Sequence, residues 1–483
     1  MALRDSRIRE NGLRMSEPKH AAGQPLPTTP PTPVTPGGAH RSDERGGGLH
    51  RTHGLGAILR DIGYVTFGKY GQYVITIVTV PLIARVLGTH GLGLLAIGMS
   101  AYFIGSLLVD LGITSFLAAR VHDSRERDGE SERLRTINQL RGDYLAIRST
   151  TLGAIGIALL LSLAASAPVQ LEMILLGLFA GGFWSVSEDW LLIGQGRFGA
   201  STAYQAVGRI GYLILLVALL PRMPSAQLAL LCLLISSVPT VVLTWWDSLR
   251  TFGLPARPRH FKSVLRTGAP VLTSRVLVTS YGQGAAAVYS AVLDTVSLGL
   301  YSAGDRLVRA IQSTLDPIGF ALLPRMARRS TDHRFWRHAL MALAACICVA
   351  TVAAVVVWLA APLMIRLIFG EEFTGAVGLL RVEIFMLPAT TITSFVTTAL
   401  LPVRQDTTGV LIGAMLGTCV AGIALFIAFH THSVWTLVYG SVLVEFSTAI
   451  WYLVRVRTLI ARERTVPIST SPAVVLMREE GMR

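Results

Sequence analysis

Apolar runs of about twenty residues, separated by short polar breaks, fill the chain from residue 62 to residue 454. A helix needs about 20 apolar residues to cross a bilayer. Twelve stretches meet that demand: 62–84, 91–112, 144–166, 169–187, 199–220, 226–247, 267–292, 297–323, 339–365, 374–401, 408–429 and 434–454. None alternates apolar and polar positions, so a strand reading fails. The pattern predicts an all-α integral membrane protein of about 12 transmembrane helices. Ahead of the first run, PLPTTPPTPVTPGG (25–38) is low-complexity and is expected to be disordered, and Met15 is a second possible start. The stretch DSRERDGESERLRTINQLRGD (123–143) reads equally as a surface helix and as a solvated linker.

The chain also resembles itself. At an offset of 206, residues 59–120 align with 265–326 without a gap, with twelve identities in 62 positions. Seven of them fall where VLGTHGLGLLAIG (86–98) meets VLDTVSLGLYSAG (292–304). Arg60 falls on Arg266, Lys69 on Arg275 and Asp110 on Asp316, matches that generic apolar similarity does not produce. Six spans separate the copies, so the halves share one orientation, as in transporters built from parallel repeats with a site at the interface between them. The expected organisation is a cytoplasmic Pro/Thr-rich tail (1–56), an N-terminal six-helix lobe (57–250), a linker (251–262), a pseudo-symmetric C-terminal six-helix lobe (263–458) and a cytoplasmic tail (459–483).

Composition sharpens this picture. Of the 483 residues, 52% are hydrophobic and 15% charged, against about 25% charged in soluble domains, which excludes a cytosolic enzyme. A net charge of +14 would suggest nucleic acid in a soluble chain. Here the 43 basic residues follow the positive-inside rule. With the N-terminus in the cytoplasm, 34 fall on the cytoplasmic side (Arg141 and Arg148, the latter at the inner edge of the 144–166 run, counted with the loop), three (Arg85, Arg222, Arg366) lie outside and the other six lie within spans. Both termini are therefore expected inside, and no nucleic-acid partner is expected. The four cysteines (Cys232, Cys346, Cys348, Cys419) all sit in apolar runs and read as small core residues.

The six bases within spans are Lys69, Arg209, Arg275, Arg306, Arg309 and Arg381. Each costs about 2.5–3.5 kcal/mol at mid-span, so they are expected to face protein or water. Acids at membrane depth are Asp110, Asp305, Asp316, Glu383 and Glu445. Asp305, Arg309, Gln312 and Asp316 share one helical face, as do Lys69, Gln72, Thr76 and Thr79, and Arg275 aligns with Thr279 and Gln283. A hydroxyl-rich stretch, TTITSFVTT, covers 390–398. An excess of arginine in a membrane cavity suits an anionic passenger, because guanidinium binds phosphate bidentately and keeps its proton. The acids read either as ion-coupling groups for H+ or Na+ or as structural pairs, Asp110 and Asp316 more as partners of loop arginines. Prolines at Pro81, Pro239, Pro270, Pro317, Pro324 and Pro388 interrupt five of the spans. Glu188 and Asp189 read as a solvated helix end. No P-loop, HExxH, nucleophile elbow or large external loop is present in the sequence, so neither an enzyme nor a further cofactor is expected.

GKYGQYVITIVTVPLIARVLGTHGLGLLAIGMSAYFIGSLLVDLGI (68–113) resembles the opening of polysaccharide-export flippases of the Wzx type. LGLYSAGDRLVRAIQSTLDPIGFALLPRMAR (298–328) is similar to their second-half segment. The family belongs to the multidrug/oligosaccharidyl-lipid/polysaccharide exporter superfamily, with the MATE-type drug transporters and the lipid II flippase, and the resemblance covers about residues 57–460. It implies a V-shaped, MATE-like bundle of two six-helix lobes around a cationic cavity, in the bacterial inner membrane. It implies ion-coupled movement of undecaprenyl-diphosphate-linked oligosaccharides from the cytoplasmic to the outer leaflet by alternating access. Membrane lipid, a polysaccharide polymerase and glycosyltransferases are the implied partners. On this reading Lys69, Arg209 and Arg275 engage the diphosphate. The alternatives are an ion-coupled multidrug exporter of the same fold and a degenerate flippase acting as a membrane scaffold.

Overall fold

The computed structural model describes the backbone of residues 49–465, apart from 115–116, 119–120, 122–129, 260, 329–334, 402–403 and 405. Side chains are described from 78 to 462, apart from those positions and 130, 263, 267, 316–328 and 407. The expected tail 1–48 and the end of the chain beyond 465 lie outside the described residues.

Among the described residues the chain is helical and without strands. The helices are α1 (Leu49–Asp110), α2 (Glu130–Ala164), α3 (Val169–Trp184), α4 (Asp189–Gly194), α5 (Phe198–Leu219), α6 (Ala226–Phe252), α7 (Phe261–Tyr281) and α8 (Ala285–Tyr289). They continue as α9 (Thr295–Arg328), α10 (Phe335–Ile368), α11 (Ala376–Glu383), α12 (Met386–Phe395), α13 (Thr407–Thr431) and α14 (Val434–Thr465). Eight described helices are long and apolar enough to cross a membrane, and Ala376–Glu383 with Met386–Leu400, bent by 43°, makes a ninth. Helices α7 and α9 fall outside that set. They are the ones that carry Arg266 and Arg275, and Asp305, Arg306 and Arg309.

The structure corrects three expectations of local structure. The first two expected spans meet without an extended loop: two helices join within α1 at Gly88, whose non-helical φ of 64° a side chain would strain. The described part of 123–143 is neither a separate surface helix nor a linker. It is the opening of α2, which continues into the membrane-spanning run, with Ile137, Arg141 and Asp143 buried. The seventh expected span is divided, since α7 stops at Tyr281 and α8 restarts at Ala285. Where α13 begins, Asp406 accepts the Gly409 N–H at 3.1 Å and takes Arg455 on both oxygens at 2.6 and 2.9 Å. These bonds, Arg455 first, hold its carboxyl below the usual carboxylate range.

Three buried apolar clusters give the bundle its plan. The largest gathers residues of both halves at the Gly88 end, among them Leu92, Leu95, Leu216, Leu230, Tyr289, Leu298, Leu380 and Leu437. The opposite end has two separate clusters. One is built on Leu111, Leu117, Tyr144, Trp190 and Phe252 of the first half, the other on Phe335, Leu343, Phe395, Leu400 and Tyr452 of the second. Helix α7 leans from the second half onto the first-half cluster through Val264 and Leu272. The core is continuous at one end and split at the other.

At the continuous end α1 crosses α9 reciprocally. A Cβ on Gly93 would collide with the Thr295 carbonyl, and a Cβ on Gly299 would collide with the Thr89 carbonyl. Gly93 and Gly299 are 206 apart, and so are Thr89 and Thr295, so the repeat offset is also a contact symmetry. The Thr295 hydroxyl and His90 Nδ1 meet at 2.6 Å beside it. Small residues allow such close backbone approach, which in membranes replaces much of the hydrophobic drive between helices.

Gly93→Val and Gly299→Val are each expected to destabilise the bundle by about 1–3 kcal/mol through overpacking, and by similar amounts. Gly153→Ala, at a glycine with open space around it, serves as the control. Thermal unfolding in detergent checks this, and a melting point unchanged in both valine variants would refute the crossing.

Candidate functional site

The intramembrane charges separate into three groups. The first lies between the halves. Arg209 of α5 donates to Gln205 Oε1 at 3.0 Å, and Gln205 donates on to Asp189 Oδ2 at 2.7 Å. Arg209 is also in electrostatic contact with Tyr102 and Asp189. Three residues on, almost one helical turn, Tyr212 stands in electrostatic contact with Arg306 of α9. A guanidinium from each half, both half-buried, thus borders one tyrosine-lined stretch of interior. Arg275 belongs to the exposed part of α7. Its stem lies on Gly112, whose absent Cβ would stand 2.8 Å from Arg275 Cδ, and Gly268 on the same face abuts Leu111 and Ile113. The side chains of Lys69 and Asp316 lie outside the described residues, although α1 and α9 carry their backbone.

The second group is an acid pair on α9 and α11. Arg309 donates to Asp305 Oδ2 at 2.7 Å. Glu383 is fully buried (0% exposed). Neither of its oxygens, nor Asp305 Oδ1, has a hydrogen-bond partner. Oε2 sits 3.0 Å from where a Gly304 Cβ would be, so the missing side chain at Gly304 makes its berth. Arg309 is therefore engaged within the second half. Arg381, two residues before Glu383, turns the other way, to the ring of Trp358 at 4.9 Å and its carbonyl at 3.3 Å. Glu445 stands in electrostatic contact with Tyr281 and Tyr452. The hydroxyls of 390–398 are largely self-satisfied: Thr390 and Thr391 bond Leu387 O at 2.9 and 2.8 Å, Thr397 bonds Thr393 O at 2.7 Å and Thr398 bonds Ser394 O at 2.6 Å. This back-bonding bends helices, and it accompanies the π-helical turn Val396–Leu400.

The third group went unread in the sequence. Arg141 and Arg148, taken as loop bases, are 0% and 2% exposed, and Glu188, taken as a solvated end, is 2% exposed. Arg141 Nε donates to Glu188 Oε2 at 2.9 Å, and its other nitrogens reach Ser248, Asn138 and the Gly253 carbonyl. Arg148 donates to the Ser187 carbonyl at 3.1 Å and to Asp110 at 3.4 Å, stacked 3.8 Å above the Tyr144 ring. Tyr144 and Thr114 both bond the Asp110 carboxylate. These bonds tie the ends of α1, α2 and α6 to the segment before α4, which makes Asp110 a structural partner of Arg148. The signal was present in the spacing: Arg141, Tyr144 and Arg148 fall on one face (i, i+3, i+7) that runs into an apolar helix. Among the described residues no group of acids, histidines and cysteines could hold a metal ion.

Removing one partner of a buried ion pair costs about 3–5 kcal/mol, because the other charge is stranded. Arg141→Ala and Glu188→Ala are each expected to destabilise by that order, and the double variant by less than their sum. A double-variant cycle of thermal unfolding in detergent measures this, and additive losses would show that the two side chains do not act together.

Residues 58–330 match the family model described as "Polysaccharide biosynthesis protein". Among solved structures, the chain is similar to the lipid II flippase MurJ in an inward closed conformation. That match has 14% identity and a TM-score of 0.67, and it covers 82% of this chain and 87% of that one. It is also similar to an inward-facing multidrug resistance transporter of the MATE family and MOP superfamily, at 15% identity and a TM-score of 0.61, covering 82% and 96%. These likenesses establish the fold. No curated protein sequence matches.

Proposed function

The chain belongs to the polysaccharide biosynthesis protein family, and from that premise we propose that it is a flippase for a polyprenyl-diphosphate-linked oligosaccharide. It is a multi-pass membrane protein with the fold of the MATE-type and lipid II transporters. The observation that carries the proposal is the placement of Arg209 and Arg306, one from each half, on one stretch of interior at membrane depth. A charge there is costly unless it serves a polar passenger, and guanidinium suits a diphosphate.

The split core supports the rest. The positive-inside distribution supports an orientation with the end of two separate clusters, and both termini, toward the cytoplasm. In bacteria the membrane is the inner one. The headgroup enters from that side, its diphosphate meeting Arg209 and Arg306, with Arg275 and its repeat partner Lys69 along the way. The lobes then rock about the α1–α9 crossing and the polyprenyl tail stays in lipid. No bond is made or broken, so the protein acts as a transporter and not as an enzyme. A polymerase and glycosyltransferases of the same pathway are its expected neighbours.

A charge-assisted hydrogen bond contributes about 1.5–3 kcal/mol, roughly 10- to 150-fold in affinity. Arg209→Gln and Arg306→Gln are expected to weaken flipping of a fluorescent diphosphate-linked glycolipid in proteoliposomes by that order at low substrate. A phosphate-free analogue should be insensitive to both. Full activity in the Arg209→Gln, Arg306→Gln double variant would overturn the assignment, and efflux of a cationic dye in place of glycolipid flipping would point to a drug exporter.

A further inference from the structure

The join between the halves carries a concentration of positive charge that no site described above uses. Between Asp247 and Asp294 the sequence has no acid, and it has six bases: Arg250, Arg257, Arg259, Lys262, Arg266 and Arg275. The first five are exposed and follow one another from the end of α6 through the linker into the first turns of α7. Among the described residues none of the five is in an ion pair, with exposed Glu132 at the start of α2 or with any other acid. The buried and half-buried acids at this end are already engaged. Asp247 takes Arg197 on both oxygens at 2.7 and 3.2 Å, while Glu188 and Asp110 serve Arg141 and Arg148. Asp143 is buried and accepts the Arg259 N–H at 2.6 Å and the Gln139 side chain at 3.1 Å.

The backbone holds these charges together. The linker lies along the start of α2. The Ala256 N–H donates to the Asn138 carbonyl at 3.0 Å, Asn138 donates to the Phe252 carbonyl at 2.6 Å, and Gln139 donates to the Arg257 carbonyl at 3.2 Å. Arg141 holds the Gly253 carbonyl at 2.8 Å. A Cβ on Gly142 would collide with the Ala256 carbonyl, so the fit is close. Like charges fixed near one another repel, and orientation in the membrane does not demand an acid-free stretch. The positive-inside rule counts Lys and Arg and gives Asp and Glu little weight. The stretch 123–143, expected on the same side, mixes five bases with six acids. An anionic partner outside the chain relieves the repulsion.

The apolar side chains among the cations identify that partner. Ile235, Val238, Val242, Trp246 and Leu249 form one exposed apolar stripe along α6, which in a membrane protein faces acyl chains. The stripe ends under Arg250, whose guanidinium stands 4.6 Å from the Trp246 ring centre. Tryptophan is the residue of the membrane–water boundary. Beyond it Leu254 is 80% exposed, and Phe261 and Leu265 are exposed beside Lys262 and Arg266 on α7. Cations interleaved with exposed apolar side chains, where a lipid-facing stripe ends, suit a surface that lies in the headgroup layer. We propose that the join between the halves is a docking surface for anionic phospholipid. Arg250, Arg257, Arg259, Lys262 and Arg266 meet the headgroup phosphates, and Leu254, Phe261 and Leu265 enter the boundary with the acyl chains. The lipid is a neighbour and not the passenger, so the inference stands apart from the flippase reading.

The test uses the purified full chain in phosphatidylcholine nanodiscs, with no glycolipid present. Trp246 is the reporter, its emission taken in each background as the difference made by Trp246→Phe. Brominated phosphatidylglycerol is expected to quench it more than brominated phosphatidylcholine at the same mole fraction, and added salt should narrow the gap. Substituting Arg257→Gln, Arg259→Gln and Lys262→Gln in turn should lower the relative association about five-fold for each cation removed, until no preference remains. Arg257→Lys with Arg259→Lys, which keeps the charge, should retain the preference. Leu254→Glu, which keeps every cation but sets an acid among them, should lower it, and Arg222→Gln, at the other end of α6, should leave it unchanged. Equal quenching by the two lipids in wild type would overturn the proposal, and so would a preference that survives the triple glutamine variant. Binding of polyglutamate that the triple variant loses, with equal quenching by the two lipids, would make this a face for an acidic protein and overturn it as well.

Discussion

A charge in a bilayer must be matched, enclosed or wetted, and the arrangement of this protein follows from that constraint. The buried charges divide by the means used. Arg141 is matched by Glu188, and Arg148 is spread over Asp110, two carbonyls and the face of Tyr144. Arg381 is enclosed against Trp358. Arg209 and Arg306 sit where the two halves face each other. In the second-half acid pair Arg309 bonds Asp305 and Arg306 also faces it, while neither oxygen of Glu383 has a donor. A chemical role is argued best for the charges whose balance is left to something that comes and goes.

The same constraint explains why the helices meet as they do. Lipid tails are as apolar as leucine, so no hydrophobic force closes two helices inside a membrane, and close backbone contact takes its place. The α1–α9 crossing is made of two glycines set against two threonine carbonyls, repeated at the offset of the duplication. Its reciprocity gives both arms the same geometry, which suits a pivot. The cores agree: apolar packing is shared by the halves beside the crossing and belongs to each half separately at the far end. In the proposed mechanism, rocking about this crossing opens and closes the separate end and leaves the shared end as the hinge.

Apolar run length made the all-helical membrane architecture legible in the sequence, because a bilayer imposes a length on every helix that crosses it. The offset of 206 was legible for a similar reason: close approach at Gly93 and Gly299 tolerates little else. What stayed hidden depends on three-dimensional context. Gly88 looks like one residue of a longer loop, yet its single positive φ is the whole joint between two helices. Glu188 and Arg141 are 47 residues apart and each resembles an ordinary helix-end charge until the fold joins them. Among the six bases, position in a span could not tell Arg306 from Arg309, three residues apart on one helix, though one stands between Tyr212 and Asp305 and the other is hydrogen-bonded to Asp305. Lys69 and Asp316 stay where the sequence reading left them, with their helices described and their side chains not.

Duplication begins with two equal halves, and the differences between them record what each was later used for. Where the first half has Met99, Phe103 and Gly177, the second has Asp305, Arg309 and Glu383, although both keep the glycine that lets the helices touch. The first half instead concentrates its charge at the opposite end, in a densely bonded and deeply buried clamp. Arg209 of the first half and Arg306 of the second lie on the boundary across which, in the proposed mechanism, the relative motion is felt. Arg306 is the residue directly after Asp305, so the second half carries its boundary guanidinium and its buried acid cluster side by side on one helix.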